Sequence, residues 1–335
     1  MSKKLILLEH GSGGRASRSL IEELVLPAFS NPYLLPLGDG AILDPMSGRI
    51  AISTDSFVVD PIFFPGGDIG SLAVNGTVND VAMCGATPTF LSAGLILEEG
   101  LPVDDLKKIL SSMNKAAKRA GVLIVSGDTK VVPKGKADKI FINTTGIGIV
   151  PSGVDMGHHA ICQGDAILLS GFMGDHGLAV MMLREGFEIA SPLKSDTAPL
   201  HKLVQDCMAA CRVHSLRDPT RGGVGGALWE IARACGLGMV IQETSLPIRP
   251  QVESACDLFG LDPLFVANEG CFLAFVAKED AKAAIRALKR NPLGRNAAII
   301  GRVTQGNPGQ VLMETRAGGT RVVTLPAGEF LPRIC

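Results

Sequence analysis

Residues 53–88 read STDSFVVDPIFFPGGDIGSLAVNGTVNDVAMCGATP. The stretch changes period part-way along. Its start belongs to "GRIAISTDSFVV" (48–59), which alternates and is rich in β-branched residues, the pattern of a strand. Residues 66–88 then read as a helix, with Asp68 able to cap it and Gly85 and Pro88 able to stop it. Working outward, "TFLSAGLILEE" (89–99) predicts a strand, and 102–121 an amphipathic helix closed by Gly121. "VLIVSGDTKVV" (122–132) and "KIFINTTGIGIV" (139–150) predict two more strands. This mixed order implies an α+β layer with a mostly antiparallel sheet.

The pattern lapses over 151–163, "PSGVDMGHHAICQ", which marks a boundary; His158 and His159 there read as part of a turn rather than a metal site. Strand and helix patterns resume at "DAILLSG" (165–171). Helices are expected at 177–185, 197–212, 222–236 and 279–290, and strands at 237–242, 271–277 and 297–304. The expected organisation is an N-terminal domain over 1–155, a C-terminal α/β domain over 156–325 and a flexible tail over 326–335. The length of 335 residues agrees with two domains.

Net charge is −1, with 32 basic and 33 acidic residues well mixed, which leaves no electrostatic footprint for nucleic acid or an anionic membrane. No apolar run approaches the roughly 18 residues of a membrane span, so neither partner is expected. The apolar run near the start is too short for a signal-peptide core, and the cytoplasm is the expected location. The eight cysteines form no CxxC pair, which weighs against zinc-ribbon and thioredoxin chemistry. Cys207, Cys211 and His214 stand at i, i+4 and i+7, and this spacing predicts a packed helix stripe. Cys335, in "EFLPRIC", is harder to explain: the position does not suit prenylation, and an exposed thiol reacts.

Four aspartates share one setting, at strand ends, turns or helix ends beside small residues. They are Asp39 in "PLGDGA", Asp55 in "ISTDSF", Asp80 in "VNDVAM" and Asp128 in "VSGDTK". Asp80 stands one turn after Gly76, leaving a notch on that helix face. Each alone reads as a cap or turn former. Glycine-rich stretches supply the complement: "EHGSGGR" with His10, Gly11, Gly13 and Gly14, "PGGDIG" with Gly66, Gly67 and Asp68, and "RGGVGG" led by Arg221. Such backbone suits an anion. Carboxylates and a triphosphate share a site only with cations between them, so the aspartates predict a Mg²⁺–nucleotide cradle. Lys130 falls on the same strand face as Asp128 and can serve phosphate or the chemistry.

"STDSFVVDPIFFPGGDIGSLAVNGTVNDVAMCGATP", "GDTKVV", "LRDPTRGGV", "ANEG" and "PRIC" together closely resemble the HypE family of nickel–iron hydrogenase maturation proteins. These are carbamoyl dehydratases of the aminoimidazole ribonucleotide synthetase superfamily. The resemblance covers nearly the whole chain, although 152–165 and 304–325 carry no motif. It implies two α/β domains, a homodimer formed through the first, and ATP with Mg²⁺ in the cleft between them. It implies that Cys335 carries a carbamoyl group, placed by the carbamoyltransferase HypF. ATP-dependent dehydration to a thiocyanate follows, with transfer to iron on a scaffold of HypC and HypD.

Dehydration needs phosphoryl transfer and then a base. Glu269, in the apolar run "LFVANEGC", is the expected base, with Lys130 as the other candidate or its partner. Ten residues from 326 to 335 span up to about 33–36 Å when extended, enough to carry a thiol between two sites. Two other readings remain open. One is another phosphoryl-transfer enzyme of the superfamily, such as selenophosphate synthetase or thiamine monophosphate kinase. The other is a nucleotide-binding scaffold whose terminal thiol senses redox state.

Overall fold

The structure is a computed structural model and describes residues 4–187, 193–326 and 333–335. Two sheets organise the chain. The first contains β1 (Arg49–Phe57), β2 (Thr87–Glu98), β3 (Leu123–Val132) and β4 (Ile140–Val150), in the order β1-β4-β2-β3. All neighbours are antiparallel except β2 and β3, which run parallel. The helix α1 (Ile69–Met83) covers one face and packs against α2 (Val103–Ala120).

The second sheet has seven strands. They are β5 (Ala166–Leu169), β6 (Val213–Arg217), β7 (Gly238–Gln242), β8 (Leu273–Val276), β9 (Ala298–Thr304), β10 (Val311–Glu314) and β11 (Thr320–Val323). Their order is β11-β10-β7-β9-β5-β8-β6. Five helices accompany them: α3 (Asp175–Arg184), α4 (His201–Ala210), α5 (Gly223–Cys235), α6 (Pro250–Phe259) and α7 (Ala281–Arg290). β5 and β8 are buried along their whole length and are correspondingly apolar throughout.

α1 is the pivot of the molecule. Asp68 caps it by accepting from Ser71 N at 2.9 Å, and Cys84 and Gly85 close its last turn onto Val81 and Ala82 carbonyls. Its residues are small and apolar on nearly every side, and Ile69 to Asn79 are almost entirely buried except Ser71. A helix buried all round must touch structure all round. One side meets the first sheet: Thr77 Oγ1 lies 2.6 Å from Thr144 Oγ1 of β4. Another meets the second domain: Asn79 donates to Ala198 O at 3.1 Å and accepts from Leu200 N at 2.8 Å.

Three expectations change. The stripe Cys207–Cys211–His214 is broken, because α4 ends at Ala210 and His214 lies in β6, where Nδ1 sits 2.7 Å from Asp165 Oδ2. Cys207 alone of the three is a core residue. The motif-free stretch 304–325 holds strands β10 and β11, which complete the second sheet. Residues 333–335 are packed, with Ile334 2% exposed, although the tail read as having few ways to pack; 327–332 lie outside the described residues. His158–Ala160 forms the expected turn.

Candidate active site at the domain junction

Residues 333–335 lie along the chain that leaves β1. Val58 N donates to Cys335 O at 3.2 Å and Asp60 N to Arg333 O at 3.3 Å. Arg184, at the end of α3, donates to both Asp60 O at 2.9 Å and Arg333 O at 2.7 Å. Arg333 reaches Val58 O at 3.1 Å and Asp138 Oδ2 at 2.6 Å. Ile334 and Cys335 thereby join the core of the first domain, together with Val180 and Ala267 from the second. The Cys335 thiol is pushed up to about 12 by burial, then by the Glu269 charge, with Arg221 opposing and Asp55 adding to the shift. Glu269, Arg221 and Asp55 are thus the charged groups whose field reaches the sulfur.

Glu269 is 3% exposed and sits where the second domain closes on α1. A Cβ built on Gly76 would stand 3.8 Å from Glu269 Oε2 and 2.9 Å from the Phe57 ring. The notch on α1 is thus filled by Phe57, with the Glu269 carboxyl at its rim. Burial raises Glu269 well above the ordinary carboxyl range, and the charges of Asp218, Asp196, Asp55 and Asp80 add to it. Asp80 is pushed up to about 6 by burial, although Ser53 Oγ donates to it at 2.9 Å. Asp55 is raised by burial too, against a hydrogen bond from Ser56 N. Asp218 reaches about 7, first through burial and then through Asp80. These buried carboxyl groups raise one another, and Glu269 and Asp55 act on the Cys335 thiol as well, so the group is held together by protons or by a counter-charge.

Two further acids, Asp196 and Asp218, belong to this group and were not among the expected site residues. Asp196 accepts from Glu269 N at 3.1 Å and Gly270 N at 2.9 Å, fixing the backbone that bears Glu269, and burial pushes it up to about 7. Asp218 stands within "LRDPTRGGV", just past the end of β6. It meets the same criterion that singled out the four aspartates, an acid at a strand end beside a turn.

The expected four-aspartate cradle is not assembled within one chain. Asp55 pairs in register with Thr144, which faces α1, whereas Asp128 and Lys130 pair with Gly94 and Ile96 on the opposite, open face. There Lys130 Nζ lies 2.6 Å from Asp128 Oδ2, and this hydrogen-bonded ammonium holds the Asp128 carboxyl below its usual range. Lys130 is thus not beside Glu269 in one chain. Asp39 is exposed on the 37–40 loop. Among the described residues no three acids, histidines or cysteines converge to hold a metal ion.

Asp128 and Lys130 instead line a cavity of about 350 Å³ with His10, Gly11, Gly13 and Tyr33. Gly11 is pressed on β3, where a Cβ would meet Val131 N at 2.4 Å, while Gly13 has φ +81° and open space around it. Gly14 is likewise open. Gly66 serves a different end: with φ +96°, its missing Cβ makes room for the Ser195 backbone, and Pro65 O accepts from Ser195 N at 2.8 Å. Gly67 packs against Thr197. Asp68, expected at the nucleotide, has its carboxylate engaged as the α1 cap and by Ser112 Oγ.

Residues 37–150 match the AIR synthase related protein N-terminal domain, and 163–314 the C-terminal domain. The carbamoyl dehydratase HypE of Cupriavidus necator is 52% identical over 328 residues, covering 97% of this chain and 93% of its own. The chain belongs to the HypE carbamoyl dehydratase family. A crystal structure of the hydrogenase maturation protein HypE in complex with ATP is 50% identical, covers 98% of this chain and 99% of its own, and superposes with a TM-score of 0.95. A HypE chain from a HypE–HypF complex is 48% identical, with a TM-score of 0.80 over 92% of this chain and 100% of its own. The two-domain, mixed helix-and-sheet architecture is that of these relatives. No helix among the described residues is long and apolar enough to cross a membrane.

Proposed function

We propose that this chain is an ATP-dependent carbamoyl dehydratase in hydrogenase maturation and that the group it dehydrates is carried on its own Cys335. The product is a thiocyanate that supplies the cyanide ligand of the iron. The observation that best supports this reading is the packing of Cys335 in the domain junction, within the field of Glu269. The HypE relative that binds ATP supports the nucleotide, and the one in complex with HypF supports that carbamoyltransferase as the donor's partner. The iron scaffold of HypC and HypD is the acceptor in this scheme.

The reaction balances without added water. The amide oxygen of the S-carbamoyl group leaves in the phosphate, two N–H protons are released, and ADP, phosphate and S–C≡N result. The chain's own part is to hold and deprotonate. The closed junction excludes water from a nitrile-forming step. Glu269 is the base that takes the N–H proton. A carbamoyl sulfur is neutral, so it is accepted beside the carboxyl nest where a thiolate is repelled.

The donor set fits Mg²⁺, which binds through one or two carboxylates and completes its shell with phosphate oxygens and water. Asp55 and Asp80 are the protein ligands in this reading. Bound there, the cation offsets their charge and lowers the cost of ionising Glu269. His10, Gly11, Gly13, Gly14, Lys130 and Arg221 serve the phosphates in this reading, while Asp39 and Asp128 would approach them only through a Mg²⁺ ion. Since Asp128 and Lys130 lie on the open sheet face, with exposed Ile50, Ile52 and Ile96, a second copy seated on that face completes the site as a homodimer.

The test is phosphate release. Supplied with HypF, carbamoyl phosphate and ATP, the chain should release phosphate in step with carbamoylation, beyond HypF's own consumption. Cys335→Ala should abolish this increment. An undiminished increment in Cys335→Ala contradicts the reading.

A further inference from the structure

His176 takes no part in the chemistry above, yet it is fully buried and touches the peptide next to Cys335. It is the second residue of α3. Nε2 lies 2.9 Å from Ile334 O, and Nδ1 lies 2.7 Å from Ser195 Oγ. A carbonyl oxygen only accepts, so Nε2 carries the hydrogen and donates it. Nδ1 is then a bare acceptor and takes the Ser195 hydroxyl hydrogen. Ser195 Oγ in turn accepts from Thr197 N at 3.1 Å. A one-directional chain runs from the Thr197 amide through Ser195 and the imidazole to the Ile334 carbonyl. Phe64 meets the ring edge-on at 5.4 Å between centroids and 85°, which limits its tilt.

A buried histidine with both nitrogens satisfied is commonly a plain core residue. Two observations set this one apart. Its acceptor is one peptide away from the sulfur of Cys335. The other direct bonds to 333–335 are made by Val58, Asp60, Asp138 and Arg184, and all of them reach the Arg333 or Cys335 end of the segment. Only the imidazole, among the described residues, bonds the middle of the segment and comes from the helix that faces the junction. Burial lowers the imidazole to about 4, which keeps it in the neutral form that this bonding needs at neutral pH.

We propose that His176, oriented by Ser195, is a positioning residue for Cys335: its Nε2–H clamps the Ile334 carbonyl and thereby presents the next residue's sulfur to Glu269. The docking part stands by itself, while the catalytic part rests on Cys335 carrying the carbamoyl group.

Two measurements test it on the full chain. In the first, without substrate, alkylation of each thiol by iodoacetamide is followed by peptide mapping, with exposed Cys84 and Cys162 as internal references. His176→Phe keeps a ring but cannot donate, and should speed alkylation of Cys335 about 3- to 10-fold, the range for one net hydrogen bond. The references should not change. His176→Gln can still donate and should restore most of the protection; Ser195→Ala should give an intermediate rate. In the second, chains already carbamoylated receive ATP, and dehydration is followed in a single turnover. His176→Phe should slow it by at least the same factor and His176→Gln should recover it, with ATP affinity unchanged in both.

Unchanged Cys335 alkylation in folded His176→Phe overturns the clamp. A parallel rise at all the thiols also overturns it, because general loosening then accounts for the change. If His176→Phe fails to fold, Ser195→Ala decides: no rise at Cys335 overturns the proposal. Faster alkylation with an unaltered dehydration rate overturns the positioning role. If the expected alkylation order holds while the parent chain forms no thiocyanate, the clamp stands and the carbamoyl reading falls.

Discussion

Glu269 lies among Asp218, Asp196, Asp55 and Asp80 in a desolvated junction, and that crowding decides its chemistry. Glu269→Gln keeps the shape and removes the proton acceptor. It should leave carbamoylation of Cys335 intact and slow thiocyanate formation about 10²–10⁴-fold, measured in a single turnover. The same nest makes stability depend on pH. Asp196 and Asp218 have folded values of about 7, above their unfolded ones, so the folded state binds more protons between pH 4 and 7. Their stabilisation is complete below the unfolded value and is lost as pH rises through 7. His176 works oppositely, since its folded value of about 4 costs stability as pH falls below 6.5. The clean window lies above pH 6.5. Acidifying the nucleotide-free chain from pH 8 to 6.5 should raise Tm by about 1–3 °C. Asp218→Asn should shrink that rise; calorimetry across the window checks both. Glu269 was legible because an acid inside "LFVANEGC" has no solvent to turn to. Asp196 was not, because the amides it serves lie 73 and 74 residues away.

Among the elements, α1 is the one whose local chemistry and whose packing can be told apart. Its cap, its stop and its extent follow from local chemistry: Asp68 can accept from the first turn, and Gly85, with φ +72°, ends the last. The purpose of Gly76 could not be read, since Phe57 and Glu269 reach it from another strand and another domain. In an exposed helix Gly→Ala gains up to about 1 kcal/mol. At Gly76 the new methyl would land 2.9 Å from a Phe57 ring that is 1% exposed and cannot swing away. Overpacking of this kind costs about 1–3 kcal/mol, so the packing cost wins. Gly76→Ala should lower stability in urea titration and slow dehydration, because the ring and the Glu269 carboxyl share that notch. His214 shows the opposite failure of local reading. Helical spacing carried the stripe past Ala210, but α4 stops there and His214 goes to a strand to meet Asp165.

Over the whole molecule, the order from β1 to β4 was legible from period and punctuation, and the motifs tied the chain to one family, whereas β6, α6, β10 and β11 of the second domain were not read. The expected convergence of the four aspartates is not found within one chain, because alternation along a strand says which residues share a face but not which face receives which partner. β1 turns Asp55 toward α1, and β3 turns Asp128 and Lys130 to the open side. If the site takes residues from both faces, as in the proposed homodimer, it needs two copies. Asp80→Asn and Lys130→Ala chains should each be inactive alone; co-expressed, they should recover roughly a quarter of parent turnover, because half the dimers hold one intact site of two. No recovery would place both residues in one chain's site.

The carrier role of Cys335 is the claim on which the rest depends, and intact-protein mass with peptide mapping tests it most directly. The chain is incubated with HypF and carbamoyl phosphate, and then with ATP. The account predicts a carbamoyl adduct on the peptide that holds Cys335, which loses the mass of one water when ATP is added, while the seven other cysteines stay unmodified. An adduct confined to another cysteine, or undiminished thiocyanate formation in Cys335→Ala, would contradict it.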